Sequence, residues 1–196
     1  MGHAHRMQIA GGIYHLTSRG NDRAPLYRDQ PDYDAFGRML EKVCDTYEWH
    51  CHAYCFMPNH YHLIAETTQP NLAAGMHVLN LSYARWSNWR HHRSGHVFER
   101  PYHDELITRD SHLLEAYRYV ALNPVRAGLC AGPAGWPWTS YRATAGAESA
   151  PGFLRIERVR GCFAWAKGDG AAEFEQFVCA GLVSMNLAAA AYTNRP

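Results

Sequence analysis

The stretch CFMPNHYHLIAE, residues 55–66, sets two histidines one residue apart just after a Pro-Asn step. Pro58-Asn59 is a turn signal. The residues before it, WHCHAYCFM (49–57), and after it, HYHLIAE (60–66), each read as a strand, so the pair predicts a hairpin. Side chains alternate faces along a strand. His60, His62, Ile64 and Glu66 therefore share one face, and Tyr61, Leu63 and Ala65 share the other. The two imidazoles project together about 7 Å apart, close enough to converge on one divalent ion. Spacing alone does not decide this. Thirteen histidines in 196 residues yield roughly one His-x-His pair by chance. His3-Ala4-His5 and His50-Cys51-His52 have the same spacing.

Working outward, GGIYHLTSRG (11–20) alternates as a strand, with Ile13, His15 and Thr17 on one face. Asp32 can cap a helix over about Tyr33–Tyr47 whose apolar face is Phe36, Met39, Leu40 and Val43. After the hairpin, Leu72, Met76, Leu79, Tyr83, Trp86 and Trp89 recur at three- and four-residue steps, which predicts a long amphipathic helix. A strand follows around Tyr102–Ile107. Asp110 or Ser111 can cap a helix over 111–123 that stops near Pro124 and Gly128. The order is strand, helix, strand, strand, helix, strand, helix. It predicts an α+β fold: a ferredoxin-like or RRM-like antiparallel sheet with helices packed on it. Residues 1–143 read as one domain. Residues 144–196 are a C-terminal extension, helical near 171–181 and in part disordered.

The chain is 47% hydrophobic and 19% charged, a soluble globular composition. No apolar run reaches the roughly 18–20 residues needed to cross a bilayer, and the N-terminal residues lack an apolar signal core. The expectation is a cytoplasmic bacterial protein. Net charge is only +1, but 17 of the 19 basic residues are Arg. Arg presents a planar fork suited to phosphate, although Arg-rich coding in a GC-rich genome gives the same bias. The six cysteines are scattered and read as small buried thiols. A zinc-stabilised domain held by Cys51, Cys55, His60 and His62 is an alternative.

The 111–123 helix carries two tyrosines. At about 100° per residue, Leu113, Leu114, Tyr117, Val120 and Ala121 cluster on one face. Tyr119 lies on the opposite side, with Asn123 one turn later on nearly the same face. Tyr117 thus reads as core packing, and Tyr119 faces solvent or a site.

Four separated motifs, PNHYHL, RPYHDELI, YRYVALNPVRAGL and WPWTSYRA, together with the opening YHLTSRGNDRAPLY, resemble the single-tyrosine HUH transposases, and most of all the REP-associated tyrosine transposases. The resemblance spans roughly residues 9–143. It implies that His60 and His62 are the HUH pair, that Tyr119 is the nucleophile, and that Asn123 supplies a third metal ligand. Tyr117 remains the second choice of nucleophile, and Glu66 a second choice of ligand.

The function implied is cleavage and joining of single-stranded hairpin DNA, in transposition or in processing of palindromic elements. Mg²⁺ or Mn²⁺ polarises the scissile phosphate, and a 5′-phosphotyrosine forms. The enzyme acts as a monomer or homodimer, with no membrane partner. A free phenol titrates near about 10, so a proton acceptor is needed; His103 and His15 are candidates. Arg19, Arg23, Arg85, Arg90, Arg93, Arg100 and Arg126 are candidate DNA contacts, and Trp86, Trp89 or Tyr102 candidate stacking platforms. A non-catalytic RRM-like nucleic-acid-binding module is the competing reading; metal-dependent nicking separates the two.

Overall fold

The computed structural model describes residues 8–163, 165 and 168–193, with side chains through residue 182 apart from the gaps just named. The His3/His5 pair lies outside the described residues. The chain runs β1 (Gly12–Arg19), α1 (Gln30–Tyr47), β2 (Trp49–Met57), β3 (His60–Thr67), α2 (Leu72–Arg90), β4 (His103–Ile107), α3 (Asp110–Arg126), α4 (Tyr141–Thr144), α5 (Glu157–Gly161) and α6 (Ala171–Thr193). The sheet order is β2-β3-β1-β4, and every neighbouring pair is antiparallel. This is the expected α+β, ferredoxin-like arrangement, with the hairpin turn at Pro58-Asn59.

Both faces of the sheet are covered, for different reasons. Tyr14 and Leu16 of β1 and Tyr61 and Leu63 of β3 pack against Phe36 and Leu40 of α1 and Met76, Leu79 and Tyr83 of α2. On the other face, Cys55, Met57 and Ile64 meet Leu113, Tyr117, Val120 and Ala121 of α3. Because α3 lies mainly over β2 and β3, the outward residues of β1 stay only half covered. His15 and Thr17 are half-buried and Arg19 is exposed. The uncovered strip becomes a groove.

Several expectations need correction. Asp29, not Asp32, caps α1, its side chain accepting from the Asp32 backbone N–H. Asp32 is fully buried instead, bound by Arg90 and His91. The last described helix runs from Ala171 to Thr193, well past 181, and its Phe174 and Val178 join the Tyr117 cluster. α3 ends at Arg126, near Pro124 and Gly128 as expected, with Pro124 inside its last turn and Gly128 in the left-handed region beyond. Arg109, which makes no side-chain cap, precedes it in place of a capping Asp110 or Ser111.

The zinc alternative fails on the strand geometry. A bulge between Cys51 and Ala53 shifts the β2 register. Cys51 therefore packs into the α1/α2 core and Cys55 into the α3 core, on opposite faces of the sheet. Burial also pushes both thiols well up, whereas zinc binds thiolate. All six cysteines are free thiols.

Candidate active site

The groove is about 690 Å³. Its floor is the half-covered face of β1 and β4, one wall is α3, and the segment 99–101 closes the rim. Five histidines line it: His15, His60, His62, His103 and His112. Strand register explains the first three. His62 pairs with Thr17 and His60 with Arg19 across the β3–β1 ladder, and His15 pairs with Ile64. His15 is thus a diagonal neighbour of His62 on the same face. Their rings stack at 5.2 Å, with His15 Nε2 3.0 Å from His62 Nδ1. The intervening Tyr61 points the other way into the core, its hydroxyl donating to Asn80 Oδ1 at 2.6 Å.

Tyr119 enters from α3. It is 40% exposed, whereas Tyr117 is 2% exposed. The Tyr119 ring meets His62 edge-on at 5.4 Å and His15 at 5.8 Å. The Arg126 guanidinium lies over the same ring at 4.8 Å. Asn123, one turn on, is buried beside His60, whose Nδ1 lies 2.8 Å from Asn59 Oδ1. Pro124 lacks the N–H that would continue the helical ladder at this turn. Helical spacing brings His112, Glu115 and Ala116 into the groove as well; their i−7, i−4 and i−3 offsets from Tyr119 were the signal that could have found them.

His62 is 5% exposed. Burial first, then the neighbouring His15 and His60, hold it well below the usual histidine range. Burial, followed by Arg19, lowers His60 as well, against the opposing effect of the Asn123 amide. Both are therefore neutral at pH 7, the form in which imidazole ligates a metal. His62 Nε2 is buried with no hydrogen-bond partner. A lone pair so placed fits a cation, and Asn123 can add an amide oxygen. Among the described residues no three His, Cys, Asp or Glu side chains converge on one metal position, so a cation held here would need a ligand of another kind beside His60 and His62, such as the Asn123 amide. Glu66 is not the third ligand. It stands four residues from His62, and its carboxylate binds His52 Nε2 at 2.9 Å.

The predicted arginines divide. Arg19 and Arg100 line the groove, and Arg126 covers Tyr119. Arg85 and Arg100 line a second groove of about 750 Å³ along α2. Arg23 is exposed in the turn after β1, and Arg93 is half-buried beyond α2. Arg90 is committed elsewhere: it forks onto Asp29 at 2.8 Å through both NH groups and reaches Asp32 at 2.5 Å. Of the aromatic candidates, Tyr102 is buried and Trp86 packs against the core, which leaves Trp89, 75% exposed. His103 shares the groove, but across Thr17 from His62.

The family model of the IS200-like transposases matches residues 8–122. The chain belongs to the IS200-like transposase family. A Haemophilus influenzae protein named as a REP-associated tyrosine transposase is 26% identical over 153 residues, covering 72% of this chain and 86% of that one. A solved REP-associated tyrosine transposase bound to a REP hairpin superposes with a TM-score of 0.66 at 17% identity, over 80% of this chain and 90% of the other. The IS200-like transposase thus shares that α+β fold. Among its described residues no helix is long and apolar enough to cross a membrane.

Proposed function

We propose that this transposase cuts and rejoins single-stranded hairpin DNA through a covalent bond to Tyr119. The observation that carries the reading is the approach of an exposed tyrosine to a buried histidine whose Nε2 has no partner. Membership of the family, and the hairpin bound by the fold's solved relative, support the same substrate.

His60, His62 and Asn123 would hold Mg²⁺ or Mn²⁺. A cation bound there acts as a Lewis acid on the phosphate oxygens. Arg19 and Arg100 bind backbone phosphate along the groove. Tyr119 Oη attacks phosphorus in line as the phenolic proton leaves. The Oη–P bond forms, the P–O3′ bond breaks, and the 3′ oxygen takes up a proton. The phosphodiester bond is conserved as phosphotyrosine, so a second 3′-OH can reverse the step and join strands without a nucleotide.

A hairpin oligonucleotide carrying an unpaired 5′ segment, incubated with protein and Mn²⁺, should yield a free 3′-OH fragment and a covalent adduct. Peptide mass spectrometry should place the adduct on Tyr119. Metal-independent binding with no adduct would favour an RRM-like binding module instead.

A further inference from the structure

We propose that His15 is a positioning residue for His62, accepting the Nδ1 proton of His62 and so holding that ring with Nε2 bare toward the cation site. The inference rests on the metal-binding reading above and deepens it.

A neutral imidazole carries one proton, and its site decides which nitrogen can ligate. His62 Nδ1 has a partner, His15 Nε2, at 3.0 Å. His62 Nε2 is buried and has none. A proton on Nε2 would be a buried donor with nowhere to go. With the proton on Nδ1, the hydrogen bond to His15 is made and the Nε2 lone pair is left for a cation. Ligating histidines commonly donate their second nitrogen to an outer partner that fixes tautomer and ring plane. Here that partner is a second imidazole, stacked on the first with an interplanar angle of 25°.

The fold supplies His15 with its own constraints. β1 is the central strand beside β3, and His15 is paired with Ile64 on one side and Glu105 on the other. Its ring also meets Tyr119 edge-on. One side chain therefore touches both the proposed ligand and the proposed nucleophile. Tyr14 and Leu16, its chain neighbours, are fully buried on the opposite face, which leaves His15 little freedom to turn away.

The test measures Mn²⁺ affinity directly, by electron paramagnetic resonance of free Mn²⁺, in protein without DNA. His15→Leu should weaken binding about 10- to 100-fold. His15→Gln, whose amide oxygen can accept the same proton, should recover most of that loss. Far-UV circular dichroism of both variants should match wild type, which shows that the fold is kept. Wild-type affinity in His15→Leu, or equal loss in Leu and Gln, overturns the proposal. A wild-type protein that binds no Mn²⁺ removes the metal reading itself, which is a separate failure. Long-range ¹⁵N–¹H spectra of metal-free wild type read the tautomer without any variant: a proton on His62 Nδ1 is expected, and one on Nε2 overturns the proposal.

Discussion

Tyr117 and Tyr119 sit two positions apart on one helix and meet opposite surroundings. The Tyr117 ring is buried among Val120, Ala121, Phe174 and Val178, while Tyr119 opens into the groove against His15 and His62. Burial pushes the Tyr117 phenol far up, so it is held as a neutral core side chain.

This separation predicts an asymmetry between two conservative variants. Tyr119→Phe should abolish the covalent adduct while leaving hairpin affinity within about twofold of wild type. Tyr117→Phe should stay active. Its hydroxyl is buried without a hydrogen-bond partner, so removing it should change stability by no more than about 1 kcal/mol. Adduct assays and denaturant melts on both proteins decide the matter; an active Tyr119→Phe with a dead Tyr117→Phe would falsify the assignment.

The arginines should separate in the same way. Arg90 is locked between Asp29 and a fully buried Asp32. Arg90→Ala should lower the melting temperature and leave hairpin affinity unchanged, because the buried Asp32 carboxylate loses its permanent cation and keeps only His91 and the Arg28 backbone N–H. Arg19→Ala and Arg100→Ala should do the reverse, each reducing the salt slope of single-strand binding by about 0.7. Gel-shift titrations at four salt concentrations read the slopes. An unchanged slope in both groove variants would remove the phosphate role.

Much of this was legible in the sequence because local rules governed it. The Pro-Asn turn, the strand alternation that put Tyr61 opposite His60 and His62, and the wheel that separated Tyr117 from Tyr119 all depend on neighbours within a few residues. What was not legible depends on contacts between distant segments. Asp32 precedes a helix and so reads as a cap; its burial against Arg90 and His91 depends on α1 and α2 packing side by side. Glu66 shares a strand face with His62, but His52, placed by a bulge in β2, claims it. His15 was only one candidate base among others until the β1–β3 register set it diagonal to His62. Cys51 and Cys55 read as small buried thiols and are so; that the bulge sets them on opposite faces, which removes the zinc alternative, depends on the strand register.

Gly75 tests the packing of the α1/α2 layer. A Cβ there would stand 2.2 Å from Cζ2 of the buried Trp49 ring. The Trp49 ring cannot easily give way, since its Nε1–H donates to Asn71 Oδ1 at 2.8 Å. Ala at a helix position ordinarily gains about 1 kcal/mol over Gly. Overpacking of this kind loses about 1–3 kcal/mol. Gly75→Ala should therefore be net destabilising, against the helix-propensity expectation, and urea melts should show a lower midpoint with an unchanged slope. A stabilised variant would mean that the Trp49 contact yields.

The last prediction concerns acid. His15, His60 and His62 are all shifted down from the ordinary histidine value, burial being the first cause in each. In the unfolded chain they titrate near about 6.5. Below that pH the unfolded state binds more protons than the native one, and stability rises with pH wherever this holds. The stability these groups contribute is therefore complete above about pH 6.5 and is lost as pH falls toward their folded values. Ordinary carboxylates titrate lower, near about 4, so a fall that begins above pH 5 points to the histidines. Metal-free protein should show a declining melting temperature between about pH 7 and 5. His62→Gln, which removes the most strongly shifted of the three, should flatten that decline. Mn²⁺ affinity of the folded protein should hold through the upper part of that window and drop only at lower pH, where the folded imidazoles themselves take up protons and compete with the cation for the same nitrogens. Scanning calorimetry at half-unit pH steps, on wild type and His62→Gln with and without Mn²⁺, measures all three. A melting temperature that holds constant or rises on acidification, or an equal slope in the variant, would show that these imidazoles are not kept neutral by the fold.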